Sequence, residues 1–199
     1  MYRKVRVNIT RIFIALLTIL LLVSESTWEK QAPIVSAVLF LIGCILVGIA
    51  SLGRLWCSLY IAGYKTDTLV VAGPYSICRN PLYFFSLLGG LGVGFATETF
   101  SIPVIIFIMF AWYYPFVIRH EENKLRNIYG AHYQAYFRSV PRFWPKWSLL
   151  QEPEGYTVTP KIFRKHIRSA LWFIWIIGIL ELLEMLREIG IFSAYFAIY

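Results

Sequence analysis

Five apolar stretches, set apart by short polar breaks and two longer polar segments, organise the chain. A membrane-crossing helix needs about 20 apolar residues, within a range of about 17–25. On that scale the first stretch runs from Val5 to Val23 and the second, which carries no charge, from Ala32 to Leu52. The third, Leu82 to Ala96, is short. The fourth runs from Ile102 to Ile118, and the fifth starts near Ala170 and continues through LWFIWIIGILELLEMLREIGIF. The tight link TETFS and Pro103, placed in the first turn of the fourth stretch, predict a helical hairpin for the third and fourth. Val5 to Val23 has no small-residue cleavage site before STWEKQAP, and another span follows at once. A retained helix is therefore expected, not a signal peptide.

Composition supports an all-α integral membrane protein with about five transmembrane helices in one domain, 1–199. Of the 199 residues, 58% are hydrophobic and 15% charged, against about 25% charged in soluble domains. The net charge of +8 invites a nucleic-acid reading until its placement is considered. With the N-terminus in the cytoplasm and five crossings, all of the 19 Lys and Arg except Lys30 and Arg187 fall on the cytoplasmic side. The charge then serves orientation and anionic headgroups, and no nucleic-acid partner is expected. The sequence does not separate a bacterial inner membrane from an endoplasmic reticulum. Cys44, Cys57 and Cys78 show neither disulfide nor ligand spacing, so no metal is expected.

The chemistry is expected in the cytoplasmic segments 54–81 and 119–169. In AGPYSICRNPLYFFS, a Gly-Pro turn follows the short β-prone run DTLVVAGPY, and Arg79, Asn80 and Pro81 stand at the mouth of the third span. Pro81 disfavours a helical Asn80 and suits a first helical turn. Two readings stay open there: an ordinary cap by Asn80, or an anion site formed by Arg79 and the helix start. GGLGVG, Gly89 to Gly94, is costly in a helix; close packing and ligand approach both explain it. After the fourth span come Arg119, His120, Glu121 and Glu122. The two acids oppose the dipole at a helix C-terminus, which hints at a binding role. An amphipathic helix broken near Gly130 follows.

TDTLVVAGPYSICRNPLYFFSLL and, some forty residues later, EENKLRNIYGAHYQAYFRSVPRFWP together resemble the isoprenylcysteine carboxyl methyltransferase family and the related phospholipid N-methyltransferases. The resemblance covers roughly residues 52–146 and leaves 170–199 as an additional span. It implies S-adenosylmethionine (SAM) as cofactor, in a cytoplasmic pocket, and a membrane lipid or lipidated substrate as acceptor. The cofactor contacts it implies are Asp67, Thr68, Leu69, Val70, Tyr75, Asn80, Pro81, Leu82, Tyr83 and Glu121, with Glu122, Tyr133 and Arg142 in support. Arg79 suits the carboxylate of SAM. Where the family more often has histidine, this chain has Asn80. The arginine assigned to substrate in isoprenylcysteine enzymes aligns with Val117, which leaves Arg119 as the candidate to replace it. If the acceptor is an amine, Glu122 or His120 is the candidate base. Prenylcysteine carboxylate, phospholipid amine, lipid phosphate and a small thiol all stay open as acceptors. A sterol-type reductase using NADPH and a non-catalytic lipid binder are the alternatives. Glu181, Glu184 and Glu188 share one helix face in the fifth span, either at the outer interface or facing a cavity.

Overall fold

The computed structural model describes residues 2–62, 68–191 and 194–199. It is helical almost throughout. α1 spans Tyr2–Val23, the short α2 spans Thr27–Gln31, and α3 spans Pro33–Ile61. One turn of helix, α4 (Pro74–Ile77), precedes α5 (Pro81–Phe95), α6 (Ser101–Ser139) and α7 (Pro160–Glu188). Among these, α3, α6 and α7 are long and apolar enough to cross a membrane. Arg11–Val23 and α5 are shorter apolar helices.

The centre of the bundle is α3 against α5. Leu39, Gly43, Val47, Ala50, Gly53 and Cys57 recur at helical spacing along the buried face of α3. Ile34, Leu41, Ile45 and Leu52 leave the opposite face apolar and exposed, as a lipid-facing surface requires. In lipid, helices associate through close packing because the tails are as apolar as the side chains. Glycine makes that approach possible. A Cβ on Gly92 would stand 2.9 Å from the Gly43 carbonyl oxygen, and one on Gly94 would stand 2.9 Å from Pro103 of α6. The glycine-rich run is therefore a packing device at these positions.

Several boundaries move from the sequence expectation. α3 does not stop at Leu52 but runs nine residues further, because no proline or turn signal interrupts it before Ala62. α6 passes through the expected end at Ile118 and continues to Ser139. Its one non-helical residue is Gly130, at φ 52° and ψ −120°, where the break was expected. The β-prone run forms no strand over its described residues 68–72. Two short strands appear elsewhere: β1 (Ser24–Ser26) pairs in parallel with β2 (Phe196–Ile198). Tyr195 N–H donates to the Val23 carbonyl and Ser101 N–H to that of Tyr199, each at 2.8 Å. The chain end is thereby tied across the start of α6.

Candidate cofactor site

The two motif segments meet at the other end of the bundle. Gly73 opens α4 at φ 58°, and a Cβ there would fall 2.3 Å from the Tyr60 ring, so both conformation and space select glycine. The turn is stitched to the segment after α6 by main-chain bonds. Gly73 N–H donates to Gln151 O (2.8 Å), Lys146 N–H to Ile77 O (2.9 Å) and Arg79 N–H to Pro141 O (2.8 Å). The Cys78 thiol donates to Phe143 O at 3.0 Å. Burial pushes that thiol up to about 12, which keeps it protonated and structural. All three cysteines are free.

Glu122 sits at the centre of this junction, 6% exposed. Arg79 Nε donates to its Oε1 at 3.1 Å, and so does Asn80 Nδ2, also at 3.1 Å. Arg142 Nε lies 3.2 Å from Oε2, at ion-pair distance but without hydrogen-bond alignment. Arg79 Nη1 donates to Phe137 O (2.7 Å) and Val140 O (2.6 Å), the free carbonyls where α6 ends. Its guanidinium also lies 4.1 Å from the Phe137 ring centroid. Asn80 Nδ2 reaches the Arg142 carbonyl as well, at 3.0 Å. Asn80 does occupy the cap position of α5, but its side chain makes no cap bond; it is turned inward to Glu122 and Arg142. The ordinary-cap reading is thereby overturned. A carboxylate bound by two cations survives burial because its charge is compensated.

The remaining candidates are distributed around this knot. Thr68 and Leu69 line a cleft of about 760 Å³, together with Tyr129, His132, Tyr136 and Gln151. That size is within the range of about 300–1,000 Å³ usual for ligand pockets. Tyr136 Oη donates to the Tyr75 carbonyl at 2.7 Å. Burial holds the Tyr75 phenol well above the usual tyrosine range, so it stays neutral. Tyr133 is 1% exposed, and its hydroxyl has no hydrogen-bond partner among the described residues. Arg142, its side chain 39% exposed, also lines a second cavity of about 290 Å³ with Phe143, Trp144 and Tyr114. Pro81 is buried at the start of α5, while Val70, Leu82 and Glu121 are partly buried. Tyr83 meets Tyr114 edge-on at 5.3 Å. Arg119 and His120 are exposed on α6. Asp67 lies outside the described residues.

Two residues escaped the sequence reading. Tyr136, read there only as part of an amphipathic stripe, ties α6 to α4. Arg54 was assigned to a polar segment because the second span was ended at Leu52. The continuous apolar pattern through Ile61, with no proline after Pro33, was the signal that would have placed it on α3.

At the opposite end, Glu184 and Glu188 line a cleft of about 200 Å³ with Glu25, Glu29 and Glu98. Glu181 is exposed. Glu184 and Glu188 thus line a cleft, and that cleft lies at the end of the bundle away from the Glu122 junction, so the two readings of this acidic face meet there.

The cobalt-zinc-cadmium resistance protein CzcN of Cupriavidus metallidurans is 35% identical over 189 residues, 95% of this chain and 86% of that protein. The nickel-cobalt-cadmium resistance protein NccN of Alcaligenes xylosoxydans xylosoxydans is 36% identical over 169 residues, 85% of this chain and 78% of that protein. No solved structure matches the chain. The sequence model of the phospholipid methyltransferase family matches residues 32–132, from the start of α3 through the Glu122 knot into α6, and the chain belongs to that family of membrane proteins.

Proposed function

We propose that the protein is a membrane-embedded, SAM-dependent methyltransferase acting on a lipidic or membrane-associated acceptor. The observation that carries this reading is the meeting of the two motif segments at Glu122, within a chain of the phospholipid methyltransferase family. The residues suit the cofactor. The cleft beside Thr68, Leu69 and Tyr136 offers aromatic and apolar walls, and the buried Tyr133 hydroxyl offers an unused donor. Glu121 would hold the ammonium or ribose hydroxyls, and the outer nitrogens of Arg142 would hold the carboxylate. Arg79 and Glu122 are engaged with each other and with the chain. Their role in this reading is to fix the start of α5 against the end of α6, so that the cofactor wall is rigid.

When bound, SAM supplies a methyl group open to in-line displacement. The protein's contribution is alignment of the acceptor and exclusion of water, and positioning can contribute about 7–11 kcal/mol. An anionic acceptor needs no base, whereas an amine must lose a proton; Glu122 is engaged by Arg79 and Asn80, which leaves His120, exposed on α6, as the candidate. We place the N-terminus and the cofactor site in the cytoplasm, on the distribution of Lys and Arg. The relatives' names concern resistance to cobalt, zinc, nickel and cadmium. We carry that setting over to this chain, with methylation of a membrane component as the activity that serves it.

Calorimetric titration of the purified full chain with SAM, with NADPH as control, tests the reading. SAM should bind, and Glu121→Ala should weaken it by at least about tenfold, or about 1.4 kcal/mol. Methyl-labelled SAM added to native membranes should label a lipid or lipidated fraction. No SAM binding together with no labelled product would refute the proposal, and NADPH binding in its place would favour the reductase alternative.

A further inference from the structure

A cavity of about 680 Å³ lies between α1, α3, α5, α6 and α7, and it is not part of the Glu122 junction. Its walls are mainly apolar and aromatic, with Trp172 of α7 among them. One region of its lining is cationic: Arg54 of α3 and Lys165 and Arg168 of α7. No carboxylate is among its lining residues.

Arg54 is the unusual member. It is partly buried on an apolar helix, where an uncompensated charge is expensive. Two of its N–H donors reach only hydroxyls: Nη1 reaches Ser86 Oγ, and Nη2 donates to Ser169 Oγ at 2.9 Å. Ser86 in turn donates to the Leu82 carbonyl at 2.6 Å, so its lone pairs are what face the guanidinium. Arg54 Nε is fully buried and has no hydrogen-bond partner, and no acid pairs with Arg54 among the described residues. The Phe173 ring, 5.5 Å away, supplies a weak cation–π contact and no counter-charge. Arg79, by contrast, has Glu122. A guanidinium oriented by two serines, short of an anion, at the charged region of an apolar cavity is complementary to an amphiphile with an anionic head.

We infer that this cavity binds a membrane amphiphile whose single-tailed or acyl body lies along the apolar walls and whose anionic head pairs with Arg54. Lys165 and Arg168 flank the head, and Ser86 and Ser169 hold Arg54 in place. The family match ends at residue 132, whereas Lys165, Arg168, Ser169 and Trp172 lie beyond it. The additional helix α7 therefore completes this site, adding Lys165, Arg168 and Ser169 to the Arg54 and Ser86 that the family-matched region supplies. Tyr114 lines both this cavity and the smaller one that Arg142 lines, which sets the head-group site next to the cofactor junction. That this amphiphile is the methyl acceptor rests on the methyltransferase reading; the binding itself does not.

The test is native mass spectrometry of the full chain in a neutral maltoside detergent, with dodecyl phosphate, dodecyltrimethylammonium and inorganic phosphate as probes. Dodecyl phosphate should be retained at least about tenfold better than the cationic amphiphile of equal tail. Inorganic phosphate should neither bind measurably nor displace it. Arg54→Gln should lower dodecyl phosphate retention by about tenfold or more, with SAM binding by calorimetry unchanged, and Arg54→Lys should restore part of it. Trp172→Ala should lower retention of the tailed probe. Equal retention of both amphiphiles, full competition by inorganic phosphate, or unaltered binding in Arg54→Gln would each overturn the inference. If Arg54→Gln fails to fold, the probe comparison on the unaltered chain and Arg168→Gln decide it. Selective dodecyl phosphate binding without SAM binding would refute the methyltransferase reading alone. SAM binding without amphiphile selectivity would refute only this one.

Discussion

The two ends of the bundle handle charge in opposite ways. At one end Glu122 is matched by Arg79 and Arg142 and fixed by Asn80, so a buried carboxylate joins α5, α6 and the segment after α6. At the other end Glu25, Glu29, Glu98, Glu184 and Glu188 gather around one cleft. The cations there are Lys30, paired with Glu25 at 2.7 Å, and Arg187, which donates to the Leu21 carbonyl. The difference teaches what burial does to a charge. Where the counter-charge is supplied, the group becomes a fixed strut. Where like charges collect, protonation is favoured: the Glu29 carboxyl is raised by burial first, and then by Glu98 and Glu25.

The largest expected effect is at the strut. Glu122→Gln keeps the shape but leaves two guanidiniums facing each other without an acid. Breaking a buried pair from one side costs about 3–5 kcal/mol. Thermal unfolding of the purified full chain in detergent should show a large loss of stability, and a variant as stable as the parent would refute the strut. Asn80→Ala comes next. It removes two hydrogen bonds, one of them to the buried carboxylate, for an expected loss of about 1–3 kcal/mol by the same measurement. If the Asn80 side chain acted only as an ordinary cap, Asn80→Ser would restore the loss; the inward geometry predicts that it does not.

The smallest effect is at the acidic end, and it depends on pH. A carboxyl raised above its ordinary value of 4.5 contributes stability below that value and loses it as pH rises through the folded-state value. Unfolding temperature should therefore fall as pH rises above 4.5, and Glu29→Gln should flatten part of that slope. A slope unchanged in the variant would mean that Glu29 ionises there as it does in water.

Much of this was legible in the chain. Apolar runs of helical length required a helical membrane protein, and the order of the two motif segments pointed to the family. Gly130 marked its own break, since a residue without a Cβ is the cheap place for φ 52°. The end of α3 was misread because Arg54 looked like the start of a polar segment. A single charge does not stop a helix when neighbouring helices supply hydroxyls to hold it. A cap by Asn80 was one of two open readings because local sequence favours that role, but Glu122, 42 residues away, offers the amide a buried carboxylate.

By itself, then, the sequence determined what depends on local pattern: the apolar segments, the turn at Gly73-Pro74, the break at Gly130 and the paired motifs. Only the tertiary structure decided which charges are partners. It matched Glu122 with two arginines, left Arg54 with serines, and gathered the acids of α2, α7 and the α5–α6 turn around one cleft. The reason is that compensation of a buried charge is a property of distance in space, which helix packing sets and local sequence does not encode.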